Sequence, residues 1–95
     1  SQPLVVLNDT QIPDLARDAA ARFKVGGWQV SSYEENYSND IVSTCAYYDP
    51  AVIGSKAAAL ALQKQFPTIK RVVARFPELP AGPVVVVLTL DYTPT

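Results

Sequence analysis

The sequence predicts an α/β domain with a single mixed sheet and two helices, in the order β-α-β-β-α-β-β. Segments rich in β-branched residues alternate with two segments in which alanines and larger apolar residues recur at helical spacing. The chain has 95 residues, of which 48% are apolar, so it can form one hydrophobic core and is too short for a second. Short strand–helix–strand connections favour some parallel pairing, with both helices on one face of the sheet or one on each.

The first strand and the first helix are predicted between residues 4 and 27. Leu4–Leu7 is a short apolar run, and the turn residues Asn8-Asp9-Thr10 follow it. Pro13 suits the first turn of a helix, because the N–H that proline lacks has no helical partner there. Gly26-Gly27 ends this helix, since glycine adopts a left-handed C-cap without steric cost. Between them, apolar residues recur at helical spacing at Leu15, Ala19 and Phe23.

Two further strands and the second helix are predicted next. Alternating residues predict a strand over Trp28–Tyr33, and a third strand over Ile41–Tyr48 follows a polar loop. Asp49 is the expected N-cap of the second helix, and Pro50 its first residue. Pro67 is expected to end this helix. Its apolar stripe is predicted at Ala51, Ala58, Leu62 and Phe66.

The last two predicted strands differ in character. Ile69–Phe76 is a strand with basic residues, and the proline-rich segment Pro77–Pro83 connects it to the final strand. Val84–Leu88 is an unbroken apolar run, which indicates a strand buried on both faces.

The composition excludes several kinds of chemistry. The chain has no histidine and one cysteine, Cys45, so it holds no histidine-based triad, no zinc site of the usual ligand count and no internal disulfide. We expect no metal and no cofactor. The formal net charge of −1 lacks the basic excess of a nucleic-acid-binding protein.

The net charge conceals an asymmetry between the two halves of the chain. Residues 1–49 carry three cationic and seven anionic side chains, whereas residues 50–95 carry five and two. Lys70, Arg71 and Arg75 could therefore dock an anionic polymer or an acidic protein partner. Basic residues on a strand also protect an exposed sheet edge against aggregation, and the sequence leaves both interpretations open.

Two groups of residues are candidates for ligand binding. Asn8-Asp9-Thr10 lies between a strand and a helix, where open α/β sheets often bind anions, but Asp9 and Asp14 favour a turn and cap instead. The aromatic residues could hold a sugar, or fill half-buried sheet positions with their polar tips in water. This group comprises Tyr33, Tyr37, Tyr47 and Tyr48, with Trp28 nearby.

Carboxylates of the polar loop are the remaining candidates. Glu34 and Glu35, together with Asp40 or Asp49, could form the carboxylate pair of a glycoside hydrolase. Adjacent glutamates in a polar loop are ordinarily solvated surface charges, and we expect that role for them here.

The order of these segments resembles the LytR C-terminal domain family. In that family the first strand ends in Asn-Gly-Thr and is followed by Pro-Gly-Leu-Ala, which Val5–Ala16 resembles apart from Asp9 and Asp14 at the two glycine positions. Glycine often marks a positive φ or a close approach of the backbone, so these two departures bear on whether the loop keeps a binding role found in the family. Similar family segments correspond to Gly26–Val30, Thr44–Tyr48, Ala58–Leu62 and Pro83–Leu88.

The resemblance implies a non-catalytic domain outside the cytoplasmic membrane. It implies binding or scaffolding of peptidoglycan, a cell-wall glycopolymer or LytR-CpsA-Psr enzymes, with roles in envelope integrity and, for solitary members from mycobacteria, vesicle release. We expect one domain over residues 1–95 and a membrane anchor upstream of it. The expected ligand-binding residues are Asn8, Thr10, Tyr33, Tyr47 and Tyr48, and the expected partner-binding residues are Lys70, Arg71 and Arg75.

Overall fold

The structure is a computed structural model that describes residues 2–94. Its two helices and single five-stranded sheet follow the predicted order, which confirms the fold class. The elements are β1 (Leu4–Asn8), α1 (Leu15–Val25), β2 (Val30–Glu34), β3 (Cys45–Tyr48), α2 (Ser55–Gln65), β4 (Arg71–Ala74) and β5 (Val84–Leu88). Within the described residues, no helix is both long and apolar enough to cross a membrane.

The sheet is mixed, and its strands are ordered β2-β1-β5-β3-β4. β1 runs parallel to β2 and to β5, whereas β3 runs parallel to β4 and antiparallel to β5. The unit β1-α1-β2 therefore lies on one side of β5 and the unit β3-α2-β4 on the other. The strands of the two units run in opposite directions. β2 and β4 form the two edges of the sheet.

The hydrophobic core lies on both faces of the sheet. All five residues of β5 are buried, which confirms the burial predicted from its unbroken apolar run. Val84, Val86 and Leu88 pack with buried residues of both helices, so both helices lie on one face, called here the helix face. Val85 and Val87 pack on the other face, the loop face, which connecting segments cover. Burying a side chain of this size stabilises the fold by about 1.5–3 kcal/mol.

Both helices begin later than the sequence predicted. Asp49 caps a turn instead of α2, because its Oδ1 accepts a hydrogen bond from Ala51 N–H (2.9 Å). Gly54, with φ 86°, then turns the chain through the left-handed region, so α2 begins at Ser55 and not at Pro50. Asp14 has φ 63°, and for the same reason α1 begins at Leu15 and not at Pro13.

The three strands with basic or aromatic residues are shorter than predicted. β2 begins at Val30 and not at Trp28, because Trp28 N–H donates to Phe23 O (3.0 Å) and closes the end of α1. β3 begins at Cys45 and not at Ile41, because the preceding Thr44 N–H donates to the side chain of Asp91 (2.9 Å). β4 is likewise limited to Arg71–Ala74.

Candidate functional site

The connections that follow β1, β2 and β5 meet at one end of the sheet and enclose a shallow groove. We call it the loop groove, formed by residues 8–14, 35–42 and 89–91. It consists of three adjoining depressions of about 440, 340 and 260 Å³. Ligands of open α/β sheets commonly bind at the carboxyl ends of strands, and this groove has that position.

Asn8 is the structural centre of the loop groove. Its side chain is fully buried, and its Oδ1 accepts hydrogen bonds from Thr10 N–H (3.0 Å) and Thr10 Oγ1 (2.6 Å). Its Nδ2 donates to Ile12 O (2.7 Å) and to Glu35 Oε1 (3.0 Å). The Asn-x-Thr segment therefore forms the turn that its sequence indicates, with the carboxamide holding the loop from inside.

Glu35 caps the N-terminus of α1, and the expectation of a solvated surface charge is wrong for this residue. Its Oε1 accepts from Ala16 N–H (3.0 Å) and its Oε2 from Arg17 N–H (2.9 Å), which satisfies two otherwise free helix donors. Desolvation alone would raise the pKa of Glu35, but the hydrogen bonds from Arg17, Asn8 and Ala16 lower it. Because a carboxylate of the chain already fills this helix end, it offers no free anion site.

Asp91 organises the opposite end of the loop groove. Its Oδ1 accepts from Thr44 N–H (2.9 Å), Thr44 Oγ1 (2.6 Å) and Thr89 Oγ1 (2.8 Å). Desolvation would raise the pKa of Asp91, and these bonds, led by that of the Thr44 hydroxyl, lower it. Neither Glu35 nor Asp91 was predicted from the sequence as an organising residue. The spacing of Thr89 and Asp91, typical of a turn closed by side chains, was the one local signal for Asp91.

The lining of the loop groove is acidic or neutral. Among its lining residues are the acids Asp9, Asp14, Glu35, Asp40 and Asp91, and no lysine or arginine. Such a groove repels phosphate groups and attracts neutral or cationic polar ligands. Exposed apolar side chains also reach it, namely Ile12, Val42 and Leu90.

The predicted tyrosines do not form one binding platform. Tyr47 is buried on the loop face, edge-on to Phe76 at a centroid distance of 5.3 Å. Tyr48 lies on the helix face, and the amine of Lys56 is 5.8 Å from the centre of its ring. Tyr33 is exposed on the edge strand β2. Of the expected ligand-binding residues, the structure brings together Asn8 and Thr10, and it places Tyr37 beside them.

The three predicted basic residues lie at the other edge of the sheet, in and beside β4. Arg71 Nε donates to Ser43 Oγ (2.9 Å), and Arg75 Nη1 donates to Pro80 O (2.8 Å), which holds the connector to β5. Lys70 is exposed. Their position agrees with protection of an exposed sheet edge against aggregation, which is one of the two interpretations that the sequence left open.

Other reactive groups are few. Burial raises the pKa of the Cys45 thiol, which leaves it protonated and inert at neutral pH. Across residues 2–94, no three histidine, cysteine, aspartate or glutamate side chains are placed to hold a metal ion.

Comparison with known proteins identifies the class of this domain. Residues 2–92 match the family model LytR_C, described as LytR cell envelope-related transcriptional attenuator, so the chain belongs to the LytR_C family. The resemblance predicted from the sequence is thereby confirmed. The solution structure of the C-terminal domain of RV0431, a mycobacterial LytR_C protein, is 32% identical with a TM-score of 0.63. The match covers 93% of this chain and 71% of that one. No curated protein matches the chain.

The left-handed residue Asp14 explains one of the two departures from the family pattern. Its φ of 63° is a conformation that glycine adopts freely, whereas Asp9, at the other glycine position, has no positive φ. Asp14→Gly and Asp14→Ala both remove the carboxylate, so their comparison isolates the backbone. Because alanine pays a steric cost in the left-handed region, we expect the free energy of unfolding of Asp14→Gly to exceed that of Asp14→Ala by about 1 kcal/mol in urea denaturation. An alanine variant of equal or greater stability would contradict this.

Proposed function

We propose that this domain is a non-catalytic module outside the cytoplasmic membrane that binds peptidoglycan through the loop groove. The observation that carries the proposal is the lining of the groove, in which polar groups and acids lie beside exposed apolar side chains and Tyr37. Membership of a cell-envelope family supports the setting. Roles in envelope integrity and vesicle release would follow from such binding.

Peptidoglycan matches the groove in three chemical respects. Its sugar rings present apolar faces, which suit Ile12, Leu90 and the ring of Tyr37. Its hydroxyl and amide groups can bond to the polar side chains of Thr10 and Ser38. Its stem peptides carry free amines beside their carboxylates, and the acidic lining attracts these amines, whereas a glycopolymer whose charges are all phosphates would be repelled. Among cell-wall ligands, the charge of the groove therefore favours peptidoglycan.

The carboxylates of the groove support binding without hydrolysis. A glycosidase needs one carboxyl group with a raised pKa as its general acid. The hydrogen bonds described above lower the pKa of both Glu35 and Asp91. Both oxygens of Glu35 and Oδ1 of Asp91 also accept the hydrogen bonds that hold the loops, so these residues organise the groove.

Co-sedimentation with purified peptidoglycan tests this function. Leu90 is 80% exposed and lines the groove, so Leu90→Ser should leave folding intact and weaken binding about fivefold or more. Ile53→Ser is the matched control, because Ile53 is 96% exposed and lies outside the groove. Equal binding by both variants, or no sedimentation of the wild-type domain, would refute the proposal.

A second candidate function is docking of an envelope protein, such as a LytR-CpsA-Psr enzyme, on the basic edge. The observation that favours it is that β4 has a strand neighbour on one side only. Reversing the charges of Lys70, Arg71 and Arg75 should abolish capture of such a partner. Unchanged capture by a folded variant would exclude this candidate.

A further inference from the structure

The two edge strands carry free backbone groups. Arg71 N–H and Arg75 N–H donate to Thr44 O and Tyr48 O of the neighbouring strand. Because strand residues alternate in direction, the N–H and C=O groups of Val72 and Ala74 point away from β3. β2 likewise pairs only with β1 within the described part of the chain, and because its register with β1 shifts between Val30 and Ser32, its regular edge is residues 32–34. Each edge is therefore able to accept another strand.

The two edges are also complementary in direction. β2 runs with β5 and β4 runs against it, so β2 and β4 are antiparallel to each other. A second copy displaced sideways along the sheet, and rotated about that direction to continue the twist of the sheet, would bring its β2 next to β4 of the first copy. The new pair would be antiparallel, and the helices of both copies would lie on the same side of the extended sheet.

Side chains at the two edges match in one register. Tyr33 is aligned with Val6, and Val72 with Ala46, so both lie on the helix face. Opposing these two residues places Glu34 opposite Arg71. Both of these residues lie on the loop face, since their partners within the sheet, Leu7 and Cys45, belong to the loop-face core. This register therefore provides an apolar contact between Tyr33 and Val72 on the helix face and an ion pair between Glu34 and Arg71 on the loop face.

We propose that β2 of one copy pairs with β4 of the next, so that the domain assembles head to tail. The charges favour this arrangement, because two fully overlapped β4 edges would place Lys70 opposite Arg75, and two β2 edges would leave Glu34 opposite Val30 without a cation. A contact between different edges is heterologous, and repeated along a continuously twisting sheet it produces an open, helical row of domains. The head-to-tail contact gives the basic edge a defined partner, the β2 strand of a second copy, and does not involve the loop groove.

Sedimentation equilibrium over a range of protein concentrations tests the assembly without any cell-wall ligand. The wild-type domain should associate, and Glu34→Lys or Arg71→Glu should each weaken association about 2- to 30-fold, because an attractive cross-strand pair becomes repulsive. An equimolar mixture of the two variants should restore association, since the lysine introduced in one variant then faces the glutamate introduced in the other. A monomeric wild type, or a mixture that stays dissociated, would overturn the proposal.

Two further variants keep the test decisive. Lys64→Glu changes the net charge as Arg71→Glu does, on an exposed helix position outside both edge strands, and should associate like the wild type. Equal weakening by Lys64→Glu would overturn the proposed contact. Arg71 also bonds to Ser43, so if Arg71→Glu fails to fold, Tyr33→Pro replaces it. Leu4 N–H donates to Gln29 O just before β2, and Val6 faces β2 in the same way, so the N–H of Tyr33, which is aligned with Val6, points away from β1. Proline there removes an outward N–H and should weaken association while the domain stays folded, and unchanged association would again overturn the proposal.

Discussion

Glu35→Ala is expected to lower the free energy of unfolding by about 2–3 kcal/mol, the range for hydrogen bonds to a charged group whose partners are left unsatisfied. The substitution leaves Ala16 N–H and Arg17 N–H without their cap and removes one partner of the Asn8 carboxamide. Asp14, at the N-cap position, makes no side-chain cap that could replace it. Urea denaturation at neutral pH measures the loss.

The neighbouring glutamate provides the control. Glu34 is exposed and lies one residue away, so Glu34→Ala should change stability by less than about 0.5 kcal/mol. Because the folded-state pKa of Glu35 is lowered, its contribution is present above its ordinary pKa of 4.5 and is lost as the pH falls through the folded value. The difference between wild type and Glu35→Ala should therefore shrink below about pH 4.5. Equal losses for both glutamates, or a difference that grows with acid, would contradict the capping role.

Asn8→Ala is expected to destabilise the domain by about 2–4 kcal/mol, because it removes four hydrogen bonds from a buried position and leaves a small cavity. Asn36→Ala is the matched control, since Asn36 lines the same groove and is exposed. The double variant with Glu35→Ala should lose less than the sum of the two single losses, because the two side chains share a bond. Strict additivity, or a loss below that of Asn36→Ala, would contradict the role of Asn8 as the centre of this network.

The arrangement of elements could be predicted from local patterns, because it depends on where apolar residues recur. The run Val84–Leu88 indicated burial on both faces, and the structure places it at the centre of the sheet. The stripe of α1 was also predicted, and Ala19 and Phe23 are buried. Helix starts were less predictable, since the left-handed conformations at Asp14 and Gly54 depend on how the preceding loops pack.

The organisation of the groove could be predicted only in part. The Asn8-to-Thr10 turn is a local interaction, and its sequence indicated it. The bonds from Glu35 to Ala16 and from Asp91 to Thr44 join residues 19 and 47 positions apart, and no local pattern encodes such distances. For the tyrosines, the prediction of a cluster was wrong, because it relied on their proximity along the chain. Alternation along β3 instead places Tyr47 and Tyr48 on opposite faces of the sheet.

An NMR titration of the isotope-labelled domain with soluble peptidoglycan fragments tests whether the loop groove binds peptidoglycan. We expect the amide shifts to concentrate in the loop groove, at residues such as Thr10, Ser38 and Leu90, and to leave Val72 and Ala74 unmoved. Shifts confined to β4, or no shifts at saturating fragment concentrations, would contradict binding of peptidoglycan by this groove.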